Sequence, residues 1–98
     1  MKYSRLAMPH VTIEIPRILQ DSAGGRTRLE LEAENLAAAA GELRRKWPVL
    51  ATHVFTETGA LRSHVLLLHN DQLTLWGNAD VRLRPGDRLE ILQAVSGG

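Results

Sequence analysis

The chain has 98 residues, of which twelve are basic and eleven acidic, for a formal charge of +1. This length suits one small domain with a modest core, and the absence of a basic block argues against a nucleic-acid partner. The sequence has no cysteine, which excludes disulfides, thiolate metal ligands and a cysteine nucleophile. No stretch is apolar enough for a membrane span, and residues 1–9 lack the apolar stretch of a secretion signal, so we expect a cytoplasmic protein without a membrane partner.

The first predicted element is a β-hairpin. Hydrophobic residues alternate with polar ones over residues 11–15, as in a strand with one buried face. The turn signal at residues 21–25 ends in two glycines. A second strand is predicted over residues 26–32, with Leu29 and Leu31 facing inward.

A helix is predicted next. Asn35 is a suitable N-cap, because its side chain can accept from the free N–H groups of the first turn. Pro48 is expected to end the helix. Residues 49–63 show no clear period, and we expect one short helical or extended turn there. The apolar face of the helix is formed by Leu36, Ala39, Ala40, Leu43 and Trp47.

The remaining elements are short strands and turns. Residues 64–69 are apolar on both faces, which indicates a central strand. Turns are predicted at Asn70-Asp71, at residues 77–78 and at residues 85–87, with an extended or helical turn over 81–84. Strands are predicted over residues 72–76 and 88–94, and residues 95–98 form a flexible tail.

This order of elements predicts the fold. One main helix must cover one face of the sheet, because no other element can do so. We therefore predict an α+β protein with the β-grasp (ubiquitin-like) fold, in which a mixed sheet of four to five strands carries one main helix. Residues 1–98 are expected to form a single domain.

The other face of the sheet is a candidate partner surface. Leu66, Leu68 and Leu92 are expected on this face, where exposed leucines would bind another protein. Alternatively, residues 49–63 fold over this face. The alternation also leaves open which pair of side chains faces inward, Leu66 with Leu68 or Val65 with Leu67. The two tryptophans are expected to pack in the core. Histidines 10, 53, 64 and 69 lack metal-ligand spacing, so no metal site is expected.

The C-terminal sequence carries a family resemblance. Residues 85–98 read Pro-Gly-Asp-Arg-Leu-Glu-Ile-Leu-Gln-Ala-Val-Ser-Gly-Gly. They resemble the end of the ThiS and MoaD sulfur carriers, in which a Gly-Asp turn and an apolar strand precede a terminal Gly-Gly. Residues 11–19, the Gly24-Gly25 pair and the Asn70-Asp71 turn are similar to the CysO branch of this family.

The resemblance implies a carrier and not an enzyme. In such proteins an E1-like adenylating enzyme uses ATP to activate the terminal carboxylate, here on Gly98 after Gly97, and a sulfur donor converts it to a thiocarboxylate. The sulfur then passes to an accepting enzyme, either cysteine-synthase-like or the large subunit of molybdopterin synthase. The resemblance implies no bound cofactor and a monomer when free. Ala94, Val95 and Ser96 are expected to bind the partner together with the leucines.

Other functions remain compatible with the sequence. A terminal Gly-Gly also occurs in ubiquitin-like modifiers that are joined to lysines, and taken alone it can be an unstructured chain end. The chain can also be the small subunit of molybdopterin synthase, or an interaction domain whose tail undergoes no sulfur chemistry. Cysteine synthesis or a related sulfur transfer is favoured by the CysO-like hairpin.

Overall fold

The structure is a computed structural model that describes residues 8–76 and 81–93. Each of the five strands predicted from the sequence is present, with bounds within two residues of the prediction. The predicted turn at residues 77–78 and the tail lie outside the described residues. The elements are β1 (His10–Glu14), a 3-10 helix (Arg17–Ala23), β2 (Arg28–Glu32), α1 (Leu36–Lys46), α2 (Pro48–Val54), β3 (Val65–His69), β4 (Gln72–Thr74) and β5 (Arg88–Gln93).

The strands form one mixed sheet in the order β2-β1-β5-β3-β4. β1 and β5 are parallel, and the other neighbouring pairs are antiparallel. β1 is the first strand of the described chain and β5 is the last. All the helices and the other three strands therefore lie between them in the sequence. This arrangement is the β-grasp fold of the α+β class, which confirms the predicted architecture.

The connection between β1 and β2 differs from the expected short turn. Residues 17–23 form a 3-10 helix that buries Leu19 and Ala23. Gly24 ends it with a φ of 69°, a left-handed conformation that suits glycine. Its N–H donates to the carbonyl of Asp21 at 3.2 Å. Two buried side chains four residues apart give too short a pattern to predict a helix from the sequence.

The position of α1 is confirmed at both ends. The side-chain oxygen of Asn35 accepts from the N–H of Ala38 at 2.7 Å, which is an N-cap hydrogen bond. The helix ends at Lys46, and Trp47, which follows it, is partly buried. Four of the five residues predicted for its apolar face are buried, namely Leu36, Ala39, Ala40 and Leu43.

A second, shorter helix follows α1, in the segment where one short helical or extended turn was expected. Pro48 ends α1 but is also the first residue of α2. Proline is accepted at this position because the first N–H of a helix has no partner within the helix. α2 buries Leu50, Ala51 and Val54 in the same core as α1. Among the described residues no helix is long and apolar enough to cross a membrane.

The core lies between the helices and one face of the sheet. In the part of the chain that the structure describes, no polar or charged residue is buried. Trp76 is 2% exposed and meets Phe55 edge to face, with ring centroids 5.2 Å apart. This confirms the packing role predicted for Trp76. The helices leave the other face of the sheet available for a partner.

Candidate functional site

β5 is the central strand of the sheet and carries the last described residue, Gln93. It lies between β1 and β3 and ends at Gln93. The predicted site residues Ala94, Val95, Ser96, Gly97 and Gly98 follow it and lie outside the described residues, so their roles stay predictions. The described part of the site is therefore the surface around the end of β5.

Leucines of two neighbouring strands lie together on the sheet face that the helices do not cover. Leu66 of β3 is directly opposite Leu92 of β5. Leu66 is 42% exposed, whereas Val65 and Leu67 on either side are buried in the core. Because successive side chains of a strand point to opposite faces, Leu68 lies on the same face as Leu66. The structure thus decides between the two orientations that the sequence left open.

Two further leucines that were not predicted as site residues extend this face. Leu73 of β4 is opposite Leu68 and is 68% exposed. Leu75, two residues later, is 70% exposed. A sequence signal was available, since Leu73 and Leu75 alternate with Thr74 after the Asn70-Asp71 turn. We call Leu66, Leu68, Leu73, Leu75 and Leu92 the leucine surface.

Segment 49–63 does not cover the leucine surface. Its helix α2 packs against α1 and the 3-10 helix, with its apolar residues in the core. Leu66, Leu73 and Leu75 remain exposed and Leu68 and Leu92 are partly exposed, and an apolar patch of this kind is typical of surfaces that bind other proteins. The leucine surface borders the point from which the tail departs.

Charged residues occupy the rest of the same sheet face. Glu90 of β5 lies opposite Leu68 on one side and Glu14 of β1 on the other. Arg88, two residues before Glu90, forms an ion pair with Asp71. The face is therefore apolar towards β4 and charged towards β1.

A hydrogen-bond network fixes the beginning of β5. Asp87 accepts from Nε2 of His69 at 2.8 Å, from the N–H of Arg84 at 2.9 Å and from the amide of Asn70 at 3.0 Å. Asn70 in turn accepts from the N–H of Arg88 at 2.9 Å. Burial raises the pKa of Asp87, but these hydrogen bonds outweigh it and hold the pKa below its ordinary value.

The Asn70-Asp71 turn contributes the backbone geometry that this network needs. Both residues have positive φ, 49° and 74°, which asparagine and aspartate tolerate better than most residues. The N–H of Asn70 donates to the carbonyl of Arg88 at 2.9 Å. The turn thus joins the β3–β4 hairpin to β5 at the end of the sheet opposite the tail.

The four histidines lie in different surroundings. His69 bonds to Asp87, and His10 lies 3.0 Å from Glu30. His53 and His64 line a hollow beside Gln93. No group of three or more potential metal ligands is found among the described residues. What the described residues offer is an apolar surface beside the end of β5.

The family model described as the ThiS family matches residues 13–98. Among solved structures, small archaeal modifier protein 1 of Methanosarcina acetivorans is 27% identical with a TM-score of 0.74, covering 93% of this chain and 98% of that one. CysO of Mycobacterium tuberculosis is 26% identical with a TM-score of 0.72, covering 87% of this chain and 99% of its own.

A chain of the BexX/CysO complex of Amycolatopsis orientalis is 25% identical with a TM-score of 0.75, covering 90% of this chain and 99% of that one. No curated protein sequence gives a significant match. The family match includes the end of the sequence, where the Gly-Gly pair lies. Together these similarities identify a ubiquitin-like sulfur carrier or modifier, and the chain belongs to the ThiS family.

Proposed function

We propose that this protein carries sulfur as a thiocarboxylate on Gly98. The observation that carries the proposal is the leucine surface beside the end of β5, in a chain whose ThiS-family match extends to Gly98. An apolar surface next to the departing chain lets an enzyme hold the domain while the tail enters its active site. The protein then acts as a co-substrate of its partners.

The chemistry begins with activation of a poor electrophile. A carboxylate oxygen of Gly98 attacks the α-phosphorus of ATP on an E1-like adenylating enzyme, and pyrophosphate leaves. A sulfur nucleophile then attacks the acyl carbon, and AMP leaves. With hydrosulfide as the nucleophile, the displaced carboxylate oxygen leaves on the AMP phosphate, a proton is released, and the product is the thiocarboxylate. ATP is bound by the partner, and this chain supplies only the carboxylate.

The two terminal glycines suit this chemistry. Glycine lacks a Cβ, so the chain end can pass through a narrow channel and another backbone can approach closely. A side chain on Gly98 would crowd the carbonyl that the sulfur nucleophile attacks. Since the sequence has no cysteine, the terminal carboxylate is also the group best suited to hold transferred sulfur.

We further propose that the accepting enzyme makes cysteine or a related sulfur metabolite. The similarity to CysO supports this choice. An acceptor of the cysteine-synthase type would bond the thiocarboxylate sulfur to a carbon electrophile, giving an acyl adduct, and hydrolysis of that adduct by water would release the product and return the Gly98 carboxylate. If the acceptor is instead the large subunit of molybdopterin synthase, this protein is the small subunit of that enzyme.

The test is a reconstituted transfer. The protein is incubated with the adenylating enzyme of the same genome, ATP and sulfide, and its intact mass is measured. We expect a gain of about 16 Da, the exchange of oxygen for sulfur. Deletion of Gly98 should abolish the gain. Release of pyrophosphate in the presence of the chain shows that the enzyme is active on it. If the mass of the chain then stays unchanged, the proposal that a thiocarboxylate forms is overturned.

A matched pair of variants tests the leucine surface in the same assay. Leu66→Asp places a charge in the centre of the surface, while Ile18→Asp makes the same kind of change at an exposed apolar residue of the 3-10 helix, outside the sheet. We expect Leu66→Asp to slow the mass gain about tenfold or more and Ile18→Asp to leave it unchanged. Equal rates for the two variants would exclude the leucine surface as the docking site.

A second function is favoured by the similarity to small archaeal modifier protein 1. A modifier would use the same adenylated carboxylate, but the nucleophile would be a lysine amine and the product an isopeptide bond. Tagged protein expressed in its own host would then give high-mass conjugates. These conjugates should disappear on deletion of Gly98. If no conjugates form under conditions that yield the thiocarboxylate, sulfur transfer is left as the function.

A further inference from the structure

We infer that the helical side of the domain has a second docking surface, which binds an acidic segment with an aromatic side chain on the enzyme that receives the tail. The surface consists of Arg44, His53, Arg62 and His64, which we call the basic strip. The inference rests on the proposed function, because it assumes that an enzyme encloses the tail. It adds a contact on the face opposite the leucine surface.

The first part of the basic strip is an apolar hollow with a volume of about 260 Å³. Pro48, Ala51 and Phe55 contribute apolar lining, and Arg44 and Arg62 also line the hollow. The guanidinium carbon of Arg44 lies 4.8 Å from the centre of the Phe55 ring. A hollow of this kind accepts one aromatic side chain, and the adjacent guanidinium groups attract carboxylates.

The position of Arg62 is fixed by three hydrogen bonds. Its Nε donates to the carbonyl of Thr52 at 2.8 Å, and its N–H donates to the carbonyl of Val54 at 3.0 Å. Its own carbonyl accepts from the N–H of Val65 at 3.0 Å. The remaining N–H groups of the guanidinium are available for a ligand. A guanidinium held in place loses less conformational entropy on binding a carboxylate than a free one.

The charges of Arg44 and Arg62 are not neutralised by the described part of the chain. Arg45 and Lys46 both pair with Glu42, and Arg88 pairs with Asp71. By contrast, no carboxylate of the described residues lies within 4.0 Å of Arg44 or Arg62. Glu57 lines the hollow but is exposed and outside this distance. The unpaired positive charge favours an acidic ligand.

The second part of the basic strip reaches the last described residue of β5. A hollow of about 440 Å³ is lined by Thr52, His53, Arg62, His64 and Gln93. Thr52 and Arg62 also line the first hollow, so the two are adjacent. Gln93 is the last described residue of β5. The basic strip therefore runs from the end of α1 to the root of the tail.

The two surfaces meet at the end of β5. Leu92 belongs to the leucine surface, and Gln93 lies opposite the buried Val65, on the helical side of the sheet. An enzyme that encloses the tail must pass close to both sides of β5 at this point. Apolar contact on one side and charge pairing on the other would hold the domain in a single orientation.

A peptide titration tests the basic strip without the enzyme. The probe is a short peptide with one tryptophan flanked by aspartate and glutamate, added to isotope-labelled protein and followed by NMR. We expect saturable shifts of the amide signals of Thr52, Phe55 and Arg62 and of the Arg62 Nε–H signal. A peptide with asparagine and glutamine in place of the acids should give much smaller shifts. Equal shifts with both peptides, or no saturable shift, would overturn the inference.

Variants assign the binding to the strip. The double change Arg44→Gln with Arg62→Gln should weaken peptide binding roughly fivefold or more, as expected for the loss of two exposed ion pairs. Arg45→Gln is the matched control, because Arg45 is next to Arg44 but pairs with Glu42. Equal weakening by the control would also overturn the inference. The titration uses neither ATP nor Gly98, so its failure leaves the sulfur-transfer assay as an independent test of the proposed function.

Discussion

Nε2 of His69 donates a hydrogen bond of 2.8 Å to Oδ2 of Asp87, which joins the last residue of β3 to the residue that precedes β5. Both side chains are mostly buried, at 19% and 12% exposed. Asp87 accepts two further hydrogen bonds, from Asn70 and from the backbone of Arg84. One carboxylate therefore holds together the turns at one end of the sheet.

The first prediction concerns the pH dependence that this carboxylate gives to stability. The pKa of Asp87 is lower in the folded state than in the unfolded chain. Its contribution is therefore complete above the ordinary aspartate pKa of about 4 and is lost as the pH falls through the lower folded-state pKa. Asp87→Asn should cost about 1–3 kcal/mol in urea unfolding at neutral pH. A difference between wild type and variant that stays constant down to pH 2 would contradict this account.

The second prediction compares the same substitution at two glycines. Gly86 has a φ of 87° in the turn before β5, and Gly41 lies in the exposed middle of α1. No atom would touch a Cβ at either site. Gly86→Ala should lower the free energy of unfolding by about 1 kcal/mol or more, because alanine is strained at positive φ. Gly41→Ala should raise it by roughly 0.5–1 kcal/mol through helix propensity. Thermal or urea unfolding measures both, and effects of the same sign would refute the explanation.

The third prediction concerns two adjacent leucines of β3. Leu67 is 1% exposed in the core, and Leu66 is 42% exposed on the leucine surface. Leu67→Ala should cost about 2–5 kcal/mol in the free energy of unfolding. Leu66→Ala should cost less than about 1 kcal/mol, since most surface changes have small effects. If urea unfolding gave the reverse order, the assignment of the two sheet faces would be wrong.

The fourth prediction concerns the start of α1. Asn35→Ala removes the acceptor for the N–H of Ala38 and should cost about 0.5–2 kcal/mol. Asn35→Asp keeps a side-chain oxygen at the same position and should retain most of the stability. Urea unfolding of the two variants at neutral pH makes the comparison. Equal losses would show that the helix start depends on the asparagine for another reason.

The strand and helix positions were predictable because their patterns are long enough to be unambiguous. The alternation around Ile13 and the spacing from Leu36 to Leu43 each place one face in the core. α2 was harder to predict, because Pro48 is both the end of one helix and the start of the next. A proline shows that a helix stops more clearly than it shows that another begins.

The candidate site was predictable only in part. Leu66 and Leu92 both belong to apolar strands. Their exposure depends on which face of the sheet the helices cover, and tertiary packing decides that. The basic strip depends on contacts between residues distant in sequence, such as the Nε of Arg62 with the carbonyl of Thr52. His69 and Asp87 are likewise eighteen positions apart, and no local pattern links them. The tail carries a sequence signal, but its role depends on partners.

The central position of β5 has a mechanical consequence. Its backbone is hydrogen-bonded on both sides, to β1 and to β3. Tension applied along the strand at the end of β5 would act across these hydrogen bonds, which are perpendicular to the strands in the antiparallel pair with β3 and slanted in the parallel pair with β1. Several of them would then be loaded together in shear. Under the proposed function, an enzyme that draws the chain end into its active site would therefore have its pull shared by the hydrogen bonds on both sides of β5.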